Sequence, residues 1–162
     1  MGSKQKGFSL IELLIVVAII LIIAAIAIPN LLRSRMAANE ASAVGSLRTI
    51  NTAEVTYATT YQAQGFAVLA SLGGPAGACA TATGATSTTA CLIDDVLAST
   101  AKKSGYSFAT TVGGGTPAVT YFSTALPQVV GQSGQRAFCT DQSGVIRANA
   151  GGTACANTDP AL

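Results

Sequence analysis

Residues Gly7 to Pro29 read GFSLIELLIVVAIILIIAAIAIP, and this stretch decides the architecture of the chain. Sixteen consecutive apolar residues run from Leu13 to Ile28, and one acid, Glu12, stands directly before them. The helix from Phe8 to Ile28 would be about 31 Å long, which matches the thickness of about 30 Å of a bilayer's hydrocarbon core. Residues 8–28 are therefore predicted to span a membrane.

The charges around this segment predict its orientation. Lys4 and Lys6 precede it and no acid offsets them, so the positive-inside rule keeps the N-terminus in the cytoplasm and sends the chain beyond Pro29 across the membrane. A cleaved secretory signal peptide is the alternative, with Ala25-Ile26-Ala27 as a small-residue cleavage site. The apolar run is longer than the 7 to 15 residues usual in such peptides.

The N-terminal sequence resembles that of a known family. The residues from Gly7 to Glu12, the short basic leader before them and Pro29 after the apolar run are similar to the N-terminus of type IV prepilins with short leaders (type IVa-like), and of pseudopilins. The resemblance covers about residues 1–61. It implies that a prepilin peptidase removes the leader, residues 1–7, by cutting between Gly7 and Phe8, and that the new amine of Phe8 is N-methylated.

Glu12 gains a possible partner from this cut. It becomes the fifth residue of the mature chain, one helical turn from the Phe8 amine, and an α-amino group is largely protonated at neutral pH. In a desolvated setting each charge needs an opposite one. The Phe8 amine could meet Glu12 of its own chain, but the resemblance implies that the Glu12 carboxylate pairs with the amine of a neighbouring subunit. Such a head-to-tail contact is of the kind that builds helical filaments. The alternative is that Glu12 only meets lipid headgroups at the start of the helix.

The helix is expected to continue beyond the membrane as an amphipathic upper half, residues 29–61. Pro29 lacks an amide hydrogen and predicts a kink or a local loss of helix. Gly45 is a helix-weakening position. Steps of three and four residues place one apolar stripe at Leu32, Met36, Ala43, Val44, Leu47, Ile50, Ala53, Tyr57 and Tyr61. The other faces are predicted to carry Arg33, Arg35, Asn39, Ser46 and Arg48.

The remaining residues, 62–162, are enough for one head domain. Phe66 to Leu72 and Leu92 to Ser99 are predicted as short helices. Two hairpins are predicted, Tyr106 to Val112 with Ala118 to Thr124, and Arg136 to Thr140 with Val145 to Asn149. The fold class is thus α+β, with about four antiparallel strands packed on the upper half of the helix, in agreement with the type IV pilin fold.

Four cysteines lie in the part of the chain predicted to be outside the cytoplasm, which favours disulfides. Three pairings are possible. Cys79 with Cys91 is favoured because the two bracket a Thr/Ala/Ser/Gly tract, and Cys139 with Cys155 because they would tie the C-terminal tail to a strand. The second pair also resembles the C-terminal disulfide loop of pilins. Crossed pairing remains open.

The residue types argue against an enzyme. The chain has no histidine, so the usual base of a Ser or Cys triad is missing, and it has no Cys-x-x-Cys zinc motif. Asp94 and Asp95 form the one acidic pair, which would bind calcium or, as we prefer, serve the start of a short helix. No catalytic residue, metal or cofactor is expected.

The net charge of +2 gives little indication of a nucleic-acid partner. Loss of Lys4 and Lys6 with the leader leaves seven basic and seven acidic side chains. Lys102 and Lys103 beside Tyr106 would suit DNA phosphates and a stacked base, but such a group is also typical of a solvated loop. Binding of nucleic acid is left open.

The resemblance implies a structural subunit of a bacterial type IV pilus that serves adhesion, twitching motility or DNA uptake. Its partners would be other copies of itself in a helical homopolymer, a prepilin peptidase that is also the N-methyltransferase, and an inner-membrane assembly platform with cytoplasmic ATPase motors. The chain would reside in the inner membrane before assembly and in an extracellular filament afterwards. The alternatives are a pseudopilin of a type II secretion system and a membrane-anchored extracytoplasmic domain that does not polymerise.

Overall fold

The computed structural model describes residues 8–81 and 84–162. Gly7 and the rest of the predicted leader lie outside the described residues. The described chain contains four helices, α1 (Leu10–Thr60), α2 (Leu69–Gly73), α3 (Ala78–Thr81) and α4 (Asp95–Thr100), and five strands. It divides into two compact units, Met1–Arg35 and Met36–Leu162, which are described separately below.

The long N-terminal helix is confirmed. α1 is helical over 51 residues, and Pro29 lies inside it. The local loss of helix suggested at Pro29 is therefore absent, because the residues on both sides continue the helix and proline removes only one of its backbone hydrogen bonds. A bend at Pro29 stays a prediction.

The second unit contains one antiparallel sheet in the order β1-β2-β3-β4-β5. The strands are β1 (Lys102–Lys103), β2 (Tyr106–Gly113), β3 (Thr120–Pro127), β4 (Ala137–Asp141) and β5 (Arg147–Asn149). Tyr106 pairs with Pro127, and Phe122 with Asp141. Both predicted hairpins are present. β1 makes the sheet five-stranded rather than four-stranded, and its two lysines offer no alternation from which a strand could be predicted.

β3 begins two residues later than predicted. The Ala118 amide donates to the Gln64 carbonyl over 2.8 Å, and the Ala118 carbonyl accepts from the Phe66 amide at 3.0 Å. Ala118 therefore bonds to the segment after α1 and leaves the ladder with β2. Its position in an alternating pattern could not reveal this partner.

The hydrophobic core lies in the second unit, between α1, the short helices and the sheet. The predicted stripe on α1 supplies Ala43, Leu47, Ile50, Ala53 and Tyr57, all buried. They belong to one cluster with Leu72, Leu97, Tyr106 and Phe138. Leu32 is exposed and lies outside this core. Ser46 was predicted on a polar face but is buried, because it lies one turn from both Ala43 and Ile50 and its small side chain fits there.

The short helices differ from the predictions at their starts. α4 begins at Asp95 instead of Leu92, because the Asp94 carboxylate accepts the Leu97 amide at 2.8 Å and caps the helix. α2 begins at Leu69 instead of Phe66. α3 was not predicted, since its Ala/Thr composition is that of the Thr/Ala/Ser/Gly tract bracketed by Cys79 and Cys91.

Candidate assembly site

The start of α1 carries a hydrogen bond that positions Glu12. Ser9 is the residue before α1, and the Glu12 carboxylate accepts the Ser9 amide hydrogen at 2.9 Å. This bond is the acidic half of a capping box, in which the residue at the third helical position bonds back to the amide before the helix. This box was not predicted, although the spacing Ser9-Leu10-Ile11-Glu12 is its usual signature.

The bond engages only one side of the Glu12 carboxylate. It uses Oε2, and within residues 8–81 and 84–162 no partner of Oε1 is found. Glu12 and Phe8 are both exposed. Within the described residues, Oε1 is thus not engaged, while Oε2 keeps the first turn of the helix in place.

The apolar part of α1 has no cover of its own. Every large apolar side chain from Leu10 to Leu32 is at least 43% exposed. Among the described residues, α1 is the one helix that is long and apolar enough to cross a membrane, judged by length and composition. An apolar surface of this size needs lipid or other protein around it.

In the second unit, Glu40 joins α1 to the start of β4. Its carboxylate accepts the Gln135 amide at 2.9 Å, the Arg136 amide at 3.1 Å and the Arg136 Nε at 2.8 Å. Partial burial acts to raise the pKa of Glu40, but these hydrogen bonds and the Arg136 charge outweigh it and hold the pKa below its usual value. Glu40 is thus a fixed anion that holds the helix to the sheet.

Glu54 is an acid in the core that the sequence analysis did not single out. It is fully buried, and its Oε2 accepts the Ala67 amide at 2.9 Å. Its Oε1 is buried without a hydrogen-bond partner. Burial raises the pKa of Glu54 to about 7, and the Ala67 bond opposes this only in part. The sequence indicated the burial of Glu54 only through its position, one helical turn from Ile50 and from Tyr57, which both belong to the predicted stripe.

The four cysteines form the two pairs that the sequence favours. Cys79 is bonded to Cys91 and Cys139 to Cys155, with Cα atoms 5.6 and 5.7 Å apart. Asp159 lies close to the second pair, but the disulfide leaves no thiolate to hold a metal there. The Asp159 carboxylate instead accepts the Ala156 amide at 2.8 Å and the Asn149 Nδ2 at 3.1 Å.

Most of the groups considered for DNA and calcium are engaged within the protein, although Lys102 is exposed. Tyr106 is fully buried and its hydroxyl donates to the Arg136 carbonyl over 2.8 Å, so its ring cannot stack on a base. The Lys103 Nζ lies 2.7 Å from the Asp94 carboxylate. The Asp95 carboxylate accepts the Gly77 amide at 2.8 Å. The prediction that Asp94 and Asp95 serve the start of a helix is in accord with the cap on α4.

Comparison with known proteins finds similarity at the N-terminal end of the chain. Residues 2–28 match the family model of the prokaryotic N-terminal methylation motif. The chain is 65% identical over 37 residues to the type IV wide pilus major component PilA4 of Thermus thermophilus. This match covers 23% of this chain and 28% of that protein. It is 44% identical over 56 residues to the type IV major pilin protein PilA of Myxococcus xanthus. This second match covers 35% of this chain and 26% of that protein. The chain thus spans about a quarter of the length of these relatives, and no solved structure matches it.

Proposed function

Because the N-terminal segment of this chain is that of the type IV pilin family, we propose that the protein is a structural, non-catalytic subunit of a bacterial type IV pilus. The observation that carries the proposal is the start of α1, where an uncovered apolar helix surface adjoins a single exposed acid, Glu12. A single helix with this apolar surface is not soluble in water. It is suited to pass from lipid into a bundle of its own copies.

The proposed maturation follows from the N-terminal motif. A prepilin peptidase cuts between Gly7 and Phe8, removes residues 1–7 and methylates the Phe8 amine. Residues 8–28 then anchor the chain in the inner membrane, residues 29–61 continue α1, and residues 62–162 form an extracytoplasmic head. During assembly, the Glu12 carboxylate meets the Phe8 amine of a neighbouring copy, and residues 8–28 become part of the filament core.

The proposed partners are the same chain in a helical polymer, and an inner-membrane assembly platform driven by cytoplasmic ATPase motors. Extension and retraction of the filament would serve adhesion, twitching motility or DNA uptake. Major pseudopilins typically carry a calcium site built from acids. A pilus is preferred here because Asp94 and Asp95, the acids that such a site would use, are engaged by Lys103 and by backbone amides. A monomeric membrane-anchored domain is the outcome that the following experiment is designed to detect.

The proposal is tested on material sheared from the cell surface. We expect electron microscopy to show filaments, and mass spectrometry of them to find this chain beginning at a methylated Phe8. A chain that appears in the membrane fraction and never in sheared fibres would contradict the proposal.

Replacement of Gly7 by tryptophan tests the cleavage step. The bulky side chain next to the scissile bond is expected to leave an uncut, membrane-bound precursor. Gly2→Trp is the matched control, because it places the same side chain in the leader away from the cut, and it should be processed normally. Mature protein of normal mass in the Gly7 variant would refute the assigned cleavage site.

A further inference from the structure

Two arginines follow the apolar segment of α1 without any compensating charge. Arg33 and Arg35 are exposed, and neither has an ion-pair partner in the part of the chain that the structure describes. The next acid along the chain is Glu40, whose carboxylate is held by the Gln135 amide and by Arg136. Within the described residues, the two guanidinium groups are thus unpaired and open to an anion from outside the chain.

The position of these arginines along the helix indicates where that anion lies. From Phe8 to Arg33 the helix rises about 37 Å, and a bilayer with its headgroup regions is about 40–45 Å thick. When Phe8 lies at the cytoplasmic face, Arg33 and Arg35 reach the headgroups of the opposite leaflet. A helix tilt of about 20° shortens the rise by only about 2 Å, which long arginine side chains can bridge.

The angular positions of the two side chains indicate what kind of partner fits. Residues two apart on an α-helix point about 200° away from each other. A single protein surface on one side of the helix would meet one of the two guanidinium groups. Lipid headgroups surround a membrane helix and can meet both.

We propose that, before assembly, Arg33 and Arg35 bind the phosphate groups of phospholipids in the extracytoplasmic leaflet. The planar guanidinium group is suited to bidentate hydrogen bonds with phosphate oxygens. The contacts hold Leu31 and Leu32 at the membrane surface and so fix the depth of α1. The inference rests on the proposed membrane-inserted state of the subunit, and it adds that the subunit gives up two phosphate contacts when it leaves the bilayer.

The test uses the full chain in vesicles of phosphatidylethanolamine and phosphatidylglycerol, with every arginine labelled with ¹³C at Cζ. Solid-state NMR then measures the dephasing of the guanidinium ¹³C signal by lipid ³¹P. The chain has five arginines, so about two-fifths of the signal is expected to dephase. Arg33→Gln and Arg35→Gln should each remove about half of the dephased intensity per protein, and the double variant should remove all of it.

Arg48→Gln is the matched control, because Arg48 is an exposed arginine of the same helix in the second unit. It should leave the dephased intensity per protein unchanged, so that the dephased fraction rises to about half of the four remaining arginines. Absence of dephasing in the unaltered chain, or equal dephasing in the chain with both Arg33 and Arg35 replaced, would overturn the inference. The measurement is made before any filament forms, so its failure is distinct from a failure of the pilus assignment, which the sheared material reports.

Discussion

At the scale of single residues, Glu54 couples the stability of the head to pH. Its pKa is about 7 in the folded protein because of burial, against an ordinary value of 4.5 in the unfolded chain. The carboxyl group thus favours folding most below about pH 4.5. This contribution falls as the pH rises from 4.5 to 7 and is lost above pH 7. The total loss in the free energy of unfolding is at most roughly 3 kcal/mol. The neighbouring Tyr57 and Tyr121 do not titrate in this window, because burial raises the pKa of both above its usual value, that of Tyr121 to about 12.

Glu54→Gln should therefore remove most of the loss of stability between pH 4.5 and 7. The measurement is urea unfolding of the full chain in detergent, followed by circular dichroism at several pH values. Glu40→Gln is the matched control, because the folded pKa of Glu40 is lowered and its contribution is present at neutral pH and lost on acidification. An unchanged slope between pH 4.5 and 7 in the Glu54 variant would show that this carboxyl is not the titrating group.

Replacement of two glycines by alanine is expected to change the stability of the protein in opposite directions. A Cβ at Gly45, within α1, would meet nothing within 4 Å, so Gly45→Ala should raise the free energy of unfolding by about 0.5–1 kcal/mol. A Cβ at Gly134 would overlap the Tyr106 hydroxyl, so Gly134→Ala should lower it by roughly 1–3 kcal/mol. Chemical denaturation of the two variants side by side checks the pair, and effects of the same sign would contradict it.

At the scale of elements, what the sequence reveals depends on where each element finds its hydrogen bonds. α1 and the hairpins of β2 with β3 and β4 with β5 satisfy their backbone locally, and periodicity is enough to predict them. The start of β3 is displaced because Ala118 bonds to Gln64 and Phe66, far away in the sequence. The acidic cap of α1 could be predicted from the spacing of Ser9 and Glu12. The burial of Glu54 could not, because its partner is the Ala67 amide, which lies in a loop without a recognisable sequence pattern.

The two disulfides are expected to differ in how much they stabilise the head. Each closes a short loop, with 12 residues of sequence separation in one pair and 16 in the other. Removal of either should cost roughly 3 kcal/mol in the chain-entropy model. Cys139 is fully buried while Cys91 is exposed, so replacement of Cys139 and Cys155 by alanine should cost more than replacement of Cys79 and Cys91. Thermal unfolding of the two double variants measures the order, and the reverse order would contradict this account of burial.

At the scale of the whole molecule, the two units are stabilised by different surroundings. The second unit has its own core, its disulfides and the Glu40 contacts, and these depend only on the chain itself. Within residues 8–35, the first unit buries none of its large apolar side chains, so this apolar surface needs cover from lipid or other protein. Mutations in the second unit should thus act on folding, whereas mutations near Glu12 should act on assembly.

Glu12→Gln separates the two roles that the structure permits for this side chain. The amide oxygen of glutamine can still accept the Ser9 amide and cap α1, but the variant has no charge for the Phe8 amine of a neighbouring copy. If the charge drives assembly, the variant should be cleaved and methylated normally, keep the helical content of the unaltered chain in detergent, and yield at least tenfold less sheared filament. Glu12→Ala, which removes cap and charge together, should give no more filament than Glu12→Gln. Filament yield restored to the unaltered level by glutamine, and lost only with alanine, would instead make the cap at Ser9 the decisive contact and remove the salt bridge from the assembly mechanism.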